Sequence, residues 1–580
     1  MTHTDERRER RMEWKRRDWI AAAGLFVATA AVVLWQNAHL VVLWDLSYVL
    51  DSAARMALGQ MPYRDFPFAH APLTFLMQAA IIRWTGRVFF HHVVYCAVVG
   101  GLGTVAAWRI VLGRLRERKG AVWAVSVVLA AALCVLGLYC ILPHPSYDCD
   151  CIFAVLVALL LLQRVERCRE VSDGSLRALG LPLVAGAAAV LPLFFKQNIG
   201  LVFLAGMVGA VVLLLGARWL GGGRDGVSAR ALLAVLAGAA VALIAALLLI
   251  EFTTGLGNYV HWTIGFAAQR RMPGLTAMVG VYQEPRLLWM LPCVAAAVAL
   301  LRTGLRKALW ARVLALGLLA APFVWTLVSC AIAEDADDRT DSLLALWPLL
   351  LVLSAVLALV NLRRGLSLRA LLPAIVLATI NGTLMSQQLW GSTYAIWPLL
   401  MVLVADLLLV LDEGPARAAM AAVIAGTLLV CGGVYVAGEE RLSYAQFLEG
   451  VAVHTTVPAL AGMATPGPFL PEFEELLRFA AVHIPASDGV ILIPGEDPFY
   501  FATGRTPRFP VLLWDPATDP YSPADVAEEA RARGIRWLIV KRNLQIKADM
   551  TPQREDVLRL LLKEFKPMVR LEGYDVYRRP

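Results

Sequence analysis

One stretch near the start of the chain combines acidic, basic and aromatic side chains at a spacing that can place them together. Five of these residues are three or four positions apart and share one face if the segment is helical, namely Asp45, Tyr48, Ser52, Arg55 and Gly59. A carboxylate held at a membrane surface can act as a general base that takes a proton from an attacking hydroxyl or amine. The alternative is a structural role for Asp45 as a helix N-cap.

The same loop continues with turn residues and a second short helix. Gly59 and Pro62 predict the end of the first helix, and Pro72 opens an apolar helix of about 13 residues. That helix is too short to cross a hydrocarbon core of about 30 Å, so we expect it to lie in the membrane interface. The residues of this loop that could contact a phosphate or a sugar are Tyr48, Arg55, Arg64, Asp65 and His70.

A pair of aspartates lies in a second polar loop, directly before an apolar run. Asp148 and Asp150 are two residues apart. Paired carboxylates can bind a divalent cation or orient an acceptor, because hard cations prefer oxygen ligands. They can equally cap the helix that follows, since a helix N-terminus favours negative charge. The sequence leaves both interpretations open, and it predicts no cofactor beyond such a cation.

Lys196 lies between two apolar runs that have almost no loop between them. An ammonium at such a position costs free energy unless it has a partner or a function. It could neutralise a phosphate, or it could reach the membrane surface as a snorkelling lysine. The neighbouring Gln197 and Asn198 favour a polar site at this point.

The loop that carries Asp45 resembles the first external loop of the C-type superfamily of membrane glycosyltransferases. This superfamily includes protein O-mannosyltransferases, lipid A aminoarabinose transferases and bacterial galacturonic acid transferases. The resemblance rests on the order of Asp45, Tyr48, Ala54-Arg55, Gly59, Pro62-Tyr63, Asp65 and Ala71-Pro72-Leu73. An aspartate of this loop is the catalytic base of the family, and by position it is similar to Asp45. Many members have Asp-Glu at this point, whereas this chain has Leu46 after the aspartate.

The resemblance also implies roles for the later polar residues. The family uses an acidic residue of the second external loop, which Asp148 or Asp150 resembles by location, and a lysine that holds the lipid phosphate, which Lys196 resembles. It implies a polyprenyl-phosphate sugar donor from the outer leaflet, an inverting transfer without a nucleotide, and a lipid, glycan or protein acceptor in the cell envelope. Two other classes stay open, a transporter or lipid flippase with an external domain and an inactive scaffold of the same fold.

The composition is that of a polytopic membrane protein. Of 580 residues, 59% are hydrophobic and only 17% are charged, with a mean hydropathy of +0.64. Soluble proteins average about 25% charged residues. The net charge of +8 lies largely in short basic loops and in the N-terminal segment 1–18, so we expect no nucleic-acid partner.

Apolar runs predict an α-helical module over residues 19–437 with about thirteen membrane spans and an external loop at 41–89. The spans lie near 19–40, 90–112, 121–142, 151–163, 178–195, 199–216, 231–250, 287–304, 312–332, 342–360, 369–386, 394–411 and 418–437. An N-terminus in the cytoplasm then puts five basic loops on the cytoplasmic side and the C-terminus outside. We therefore expect a multi-pass protein of the inner (plasma) membrane.

The last part of the chain changes character. Residues 438–470 are predicted as a linker rich in proline and glycine, and residues 471–580 as a small extracytoplasmic α/β domain. Helical and strand patterns alternate in this domain, with a capped helix that ends at Gly534 and a final strand or hairpin. No glycine-rich motif opens its helices, so we assign it no nucleotide site.

Two further groups of residues have less specific patterns. His91 and His92 are adjacent and would point to different faces of a helix, so we do not expect them to share a metal ion. Three cysteines lie near one external loop, namely Cys140, Cys149 and Cys151. They are either small packing residues or the source of a disulfide.

Overall fold

The computed structural model describes residues 14–115, 121–167, 176–220, 227–271, 276, 279–334, 336–385, 395–411, 414–438, 442, 444–446, 450–515, 519–547 and 555–580. Most of the N-terminal basic segment and parts of several basic loops lie outside the described residues. The described chain is a helical bundle followed by a small sheet, which confirms the predicted fold class.

Each of the thirteen predicted spans coincides with a helix or with two consecutive helices. Among the described residues, seven segments are long and apolar enough to cross a membrane: Arg16–Asn37, Phe89–Leu115, Gln197–Trp219, Ala229–Thr253, Leu309–Ile332, Asp337–Arg364 and Gly414–Ala437. Five shorter apolar stretches match further spans: Val122–Leu136, Leu179–Phe195, Leu287–Arg302, Leu368–Thr383 and Trp397–Leu408. The remaining one is Tyr147–Arg167, which carries two aspartates in its first turn. Length and apolar composition thus support a multi-pass membrane protein, and the side on which each loop lies stays a prediction.

The external loop forms the two short helices that the sequence predicts. The first, here called the loop helix, is Leu43–Ala57, and Gly59 follows it with a φ of 97°, a conformation that glycine adopts at little cost. The second is Leu73–Thr85, with Pro72 at its N-cap. Arg83 donates hydrogen bonds to the carbonyls of Met56 and Ala57 and joins the C-terminal ends of the two helices.

Shorter helical segments connect the long ones. Five-residue and longer pieces lie at Leu191–Phe195, Leu256–Val260, Ala267–Arg271 and Ala336–Leu344, with a π-helical turn at His261–Phe266. Three-residue-per-turn helices lie at Gly280–Gln283, Gly304–Lys307 and Pro458–Leu460.

The buried Asp406, for which the sequence offered no explanation, is explained by an ion pair within the bundle. Arg114 Nε lies 2.7 Å from Asp406 Oδ1, and both side chains are only 4% exposed. Arg114 also donates to the carbonyl of Arg369, and Arg369 donates back to the carbonyl of Arg114. A charged residue inside an apolar bundle is tolerated when it is paired in this way.

The C-terminal part contains the predicted alternation of helices and strands. A four-stranded sheet has the order β3-β4-β6-β5, with strands β3 (Gly489–Ile493), β4 (Ile535–Lys541), β5 (Lys566–Arg570) and β6 (Tyr574–Arg578). Strands β3 and β4 are parallel, and the other pairs are antiparallel. The helices are Phe469–His483, Phe499–Thr503, Pro523–Ala532 and Glu555–Leu561. Two short strands, β1 (Val453–His454) and β2 (Ala464–Thr465), pair within the predicted linker.

This C-terminal domain docks onto one face of the loop helix. Three residues at four-residue spacing make the contact: Ser47 donates to the carbonyl of Gly495, Asp51 accepts the N–H groups of Tyr500 and Phe501, and Arg55 donates to the carbonyls of Phe509 and Pro510. Arg87 binds the carbonyls of Phe501 and Ala502 at the other end of the same short helix. Both ends of helix Phe499–Thr503 are therefore capped by side chains of the external loop.

Candidate active site

Asp45 lies in the first turn of the loop helix, where its half-buried side chain meets two other parts of the chain. The hydroxyl of Tyr444 donates a short hydrogen bond to Asp45 Oδ2. Tyr444 lies in the segment that precedes the C-terminal domain, and a bridge between Ala445 and Ile546 holds that segment against the domain. The N-cap position of the loop helix is Val42 rather than Asp45, so the carboxylate is not used as the cap.

The environment of Asp45 favours its protonated form more than water does. The pKa of the Asp45 carboxyl is raised to about 6: burial is the main cause and the charges of Asp148 and Asp515 add to it, while the hydrogen bond from Tyr444 acts in the opposite direction. A carboxylate with a pKa near 6 is mostly ionised at neutral pH, yet binds a proton more readily than an ordinary aspartate. That is the property of an effective general base.

Lys196 lies at a one-residue break between two helices. Its backbone is extended, with φ −147° and ψ 113°, after helix Leu191–Phe195 and before helix Gln197–Trp219. Pro192 in the first helix cannot donate a backbone hydrogen bond, and it accepts one from the N–H of Lys196. The backbone of Lys196 therefore belongs to neither helix.

The ammonium of Lys196 forms a buried ion pair with Asp148. The two side chains make a short contact, and the residues are 7% and 6% exposed. The same ammonium lies 5.2 Å from the centre of the Tyr147 ring, within the range of a cation–π contact. Asp148 therefore faces both the lysine and, through its charge, Asp45.

Gln197 fixes the lysine break against the external loop. Its side chain accepts a hydrogen bond from the N–H of Ala71 at 3.2 Å and donates to the carbonyls of Ala69 at 3.0 Å and Thr263 at 3.2 Å. The residue next to the candidate phosphate ligand thus joins three segments. The sequence pointed to a polar site here, and the structure identifies what the amide of Gln197 binds.

Asp150, the second aspartate of the pair, has a different environment from Asp148. Three hydroxyls bind its carboxylate: Thr74 at 2.7 Å, Tyr95 at 2.7 Å and Tyr139 at 2.6 Å. These bonds join helix Tyr147–Arg167, which carries Asp150, to helix Leu73–Thr85 of the external loop, to helix Phe89–Leu115 and to the segment that carries Tyr139. Asp150 thus anchors the external loop, and of the two aspartates it is Asp148 that faces Lys196 and Asp45.

Aromatic rings line the space between the loop and the Lys196 pair. His70 packs 4.8 Å from the Tyr147 ring and 5.2 Å from the Tyr48 ring, centre to centre. Phe75 lies against Tyr48 and His70 at 5.6 and 6.1 Å. Of the sequence-predicted substrate contacts, His70 therefore packs against Tyr147, the ring that the Lys196 ammonium contacts, and Tyr48 packs against His70.

The other predicted contacts point elsewhere. Arg55 is only 2% exposed, and its guanidinium binds Gln60 and two carbonyls of the C-terminal domain. It does not share the face of Asp45, as its spacing had suggested, but follows Ser47 and Asp51. Arg64 and Asp65 form a bidentate surface pair with distances of 2.8 and 2.9 Å.

Residues outside the predicted motifs complete the surroundings of Asp45. Tyr444 and Asp515 come from the last third of the chain, and neither lies in a pattern that links it to the external loop. Asp51, to which the sequence assigned no functional role, anchors the C-terminal domain by accepting the N–H groups of Tyr500 and Phe501. Burial raises the pKa of its carboxyl to about 8. Only tertiary structure shows these contacts.

Among the described residues, no group of three or more His, Cys, Asp or Glu side chains is arranged to hold a metal ion. His92 binds Gln78 at 2.7 Å rather than pairing with His91. Three cysteines near the second external loop are free thiols, namely Cys140, Cys149 and Cys151. Arg270, in the loop after residue 250, donates to the carbonyl of Asp519.

No protein-family model matches the sequence, and no match to a curated protein reaches significance. Among solved structures, the chain is similar to ArnT from Cupriavidus metallidurans bound to undecaprenyl phosphate, with 12% identity over 97% of this chain and 98% of that one and a TM-score of 0.44. It is also similar to the Archaeoglobus fulgidus oligosaccharyltransferase in complex with zinc and sulfate, with 12% identity, 96% and 73% coverage and a TM-score of 0.46.

A third similar structure is the archaeal oligosaccharyltransferase AglB from Archaeoglobus fulgidus in complex with an inhibitory peptide and a dolichol-phosphate. Its identity is 13%, the coverage is 98% of this chain and 75% of that chain, and the TM-score is 0.44. At TM-scores of 0.44 to 0.46, the likeness assigns neither an activity nor a site residue to this chain.

Proposed function

We propose that this protein is a membrane glycosyltransferase that moves a sugar from a polyprenyl-phosphate donor to an acceptor of the cell envelope. One observation carries the proposal: a half-buried carboxylate with a raised pKa, Asp45, lies within electrostatic reach of a buried Asp148–Lys196 pair. The site thus combines a base with a cation that suits a phosphate, and the two come from separate segments of the chain.

The chemistry needs a proton acceptor and a stabilised leaving group. Asp45 takes the proton from the acceptor hydroxyl or amine as its oxygen or nitrogen forms a bond to the anomeric carbon of the sugar. The bond between that carbon and the phosphate oxygen breaks, and its electron pair leaves with the polyprenyl phosphate. Attack from the side opposite the phosphate inverts the anomeric centre.

Lys196 serves the leaving group in this proposal. A buried ammonium stabilises negative charge that develops on the phosphate, and it does so more strongly than a solvated lysine would. Asp148 holds the ammonium in place before the donor binds. The rings of Tyr147, His70 and Tyr48 pack against one another at tilted angles and offer aromatic surface against which a sugar ring can pack.

The substrates enter from two phases. The polyprenyl chain of the donor stays in the bilayer, and the acceptor, whether lipid, glycan or protein, reaches the site from the extracytoplasmic side. This places the protein in the inner (plasma) membrane, with a cytoplasmic N-terminus and the C-terminal domain outside. The transporter alternative drew on Asp406 as a charge inside a span, but that carboxylate forms an ion pair with Arg114.

The test compares cells that lack the gene with cells that express the wild type, Asp45→Asn or Asp338→Asn. Asp338 is an exposed carboxylate on helix Ala336–Leu344, so it controls for the loss of one acidic group. Mass spectrometry of the envelope glycans should reveal a sugar that only the wild type and Asp338→Asn restore. In membranes from these cells, Asp45→Asn should reduce transfer by roughly 100-fold to 10,000-fold.

The proposal fails if Asp45→Asn restores the sugar as well as the wild type does. Equal amounts of protein in the membrane and equal thermal stability are required for the comparison. Asparagine has nearly the size of aspartate, and its side-chain oxygen can still accept the hydrogen bond from Tyr444, so a purely structural Asp45 would leave activity and stability close to those of the wild type.

A further inference from the structure

We infer that Gln545, in the C-terminal domain, is the positioning residue that holds Asp45 and Tyr444 together. The inference rests on the proposed function of Asp45, but it is argued from contacts that do not involve a substrate. Gln545 is fully buried, and its side chain uses every hydrogen-bonding group it has toward other segments.

One side of this contact network is the start of the loop helix. Gln545 Oε1 accepts a hydrogen bond from the N–H of Leu43 at 2.7 Å, and its Nε2 donates to the carbonyl of Val41 at 2.9 Å. These two groups flank the N-cap residue Val42, three residues before Asp45. The N–H of Leu43 is one of the first donors of the helix, which have no partner within the helix itself. A glutamine from the distant C-terminal domain therefore completes the helix end that carries the carboxylate.

The other side is the segment that carries Tyr444. The carbonyl of Gln545 accepts from the N–H of Gln446, and the N–H of Lys547 donates to the carbonyl of Tyr444 at 2.9 Å. Gln545 thus binds the backbone just before Asp45 and the backbone just after Tyr444. The short bond between the Tyr444 hydroxyl and the Asp45 carboxylate spans the gap between the two segments.

The buried carboxylate of Glu496 holds the backbone of Gln545 in place. Glu496 accepts the N–H groups of Gln545 at 3.0 Å and of Ile546 at 2.6 Å, and its Oε2 lies 2.7 Å from the ammonium of Lys541. Nε2 of Gln545 also donates to the hydroxyl of Thr465 at 3.0 Å. A fully bonded buried network of this kind is rigid, because any displacement leaves polar groups without partners.

The consequence of this arrangement is a defined basicity of Asp45. The groups that face the carboxylate are the Tyr444 hydroxyl, the charges of Asp148 and Asp515, and Lys196 through Asp148. Of these, the hydrogen bond from Tyr444 stabilises the ionised form. If Gln545 holds that bond in place, loss of either residue should make Asp45 bind its proton at a higher pH.

The test measures the protonation of Asp45 directly in the full-length protein in detergent. Dicyclohexylcarbodiimide reacts with protonated carboxyls, and mass spectrometry of the peptide around Asp45 gives the pH of half-labelling. The wild-type midpoint is expected near pH 6. Tyr444→Phe should raise it by about one pH unit, the usual worth of one hydrogen bond to a charged group. Gln545→Met, which keeps the side-chain volume, should raise it in the same direction.

Coupling separates positioning from general loosening. The double variant Gln545→Met/Tyr444→Phe should shift the midpoint no further than Tyr444→Phe alone, because both changes remove the same bond. Tyr500→Phe is the matched control, since it removes another buried hydroxyl of the C-terminal domain, which donates to the carbonyl of Val490 at 2.7 Å and has no bond to the Gln545 network. Its midpoint should equal that of the wild type. Thr465→Val removes one of the three side-chain bonds of Gln545 and supplies a milder variant, with a smaller shift upward.

A wild-type midpoint in both Gln545→Met and Thr465→Val would overturn the inference, as would additive shifts in the double variant or a shift in Tyr500→Phe. The labelling does not depend on sugar transfer. A failure of Asp45→Asn to lose activity would therefore refute the proposed base while leaving this measurement intact.

Discussion

Removal of Lys196 and Asp148, singly and together, separates a structural ion pair from a phosphate site. Both residues are less than a tenth exposed. Lys196→Ala leaves the Asp148 carboxylate buried without its ammonium, and Asp148→Ala leaves the ammonium without its carboxylate. Loss of one partner of a buried pair costs about 3–5 kcal/mol of unfolding free energy, whereas replacing both by apolar residues is often close to neutral. We therefore expect each single variant to be clearly less stable than the double variant.

Binding of undecaprenyl phosphate should follow a different order. A hydrogen bond from an ammonium to a phosphate contributes about 1.5–3 kcal/mol, which corresponds to about 10-fold to 150-fold in Kd. Lys196→Ala and the double variant should both lose this affinity, although only the double variant recovers stability. Lys196→Arg keeps the charge and should bind more tightly than Lys196→Ala.

The assay combines chemical unfolding of the detergent-solubilised protein with a titration of undecaprenyl phosphate. The Arg114–Asp406 pair is a matched control, because it is also a buried ion pair in direct contact but lies elsewhere in the bundle. Arg114→Met/Asp406→Leu should leave the Kd unchanged. If Lys196→Ala/Asp148→Ala binds undecaprenyl phosphate as tightly as the wild type, Lys196 is a structural residue and the assignment of the phosphate site is wrong.

Three further outcomes are expected. Because burial raises the pKa of Asp45 to about 6, the rate of sugar transfer should be constant above about pH 7 and fall about tenfold per pH unit below about pH 6. A pH profile of transfer in membranes measures this, and a flat profile down to pH 5 would contradict it. Asp150→Ala removes the carboxylate that three hydroxyls bind and should cost several kcal/mol of unfolding free energy, about 1–3 kcal/mol for each hydroxyl. Thr74→Val removes one of these bonds and should cost about 1 kcal/mol. Equal stability of Asp150→Ala and the wild type in chemical unfolding would refute the anchoring role. Reporter fusions after Pro468 should be active only outside the cytoplasm, and activity of a cytoplasmic reporter there would invert the topology on which the site depends.

The elements of this fold could be predicted from the sequence because their signals are local. The loop helix, the short helix after Pro72 and the α/β alternation after residue 471 all follow from spacing, proline and glycine positions and apolar runs. The capped helix Pro523–Ala532 even shows the reciprocal bonds between Ser522 and Asp525 that its sequence suggests. The helix Phe499–Thr503 was missed, because five residues with three aromatic side chains in a row give no periodic signal.

The candidate site was predictable only in part, because sequence shows which residue types a segment carries but not which segments meet. Asp45, Asp148 and Lys196 were found through their types and through a family resemblance, and the structure brings the last two into contact. Tyr444 and Gln545 carry no such signal, since a tyrosine and a glutamine are unremarkable in polar stretches. Their roles arise from contacts between residues about 400 and 500 positions apart.

The loop helix illustrates why periodicity alone assigned Arg55 to the wrong face. Residues four apart advance by about 40° around a helix, so Ser47, Asp51 and Arg55 drift slowly across one side, and Arg55 also lies close to the side of Tyr48. The spacing therefore allowed either assignment.

What decides between them is the partner: the C-terminal domain offers the unpaired carbonyls of Phe509 and Pro510 and the free N–H groups at the start of helix Phe499–Thr503. A guanidinium and a carboxylate satisfy these groups, while Asp45 in the first turn of the same helix meets Tyr444, and Tyr48 packs against His70. The contacts that dock the C-terminal domain onto the loop helix therefore also fix the orientation of Asp45.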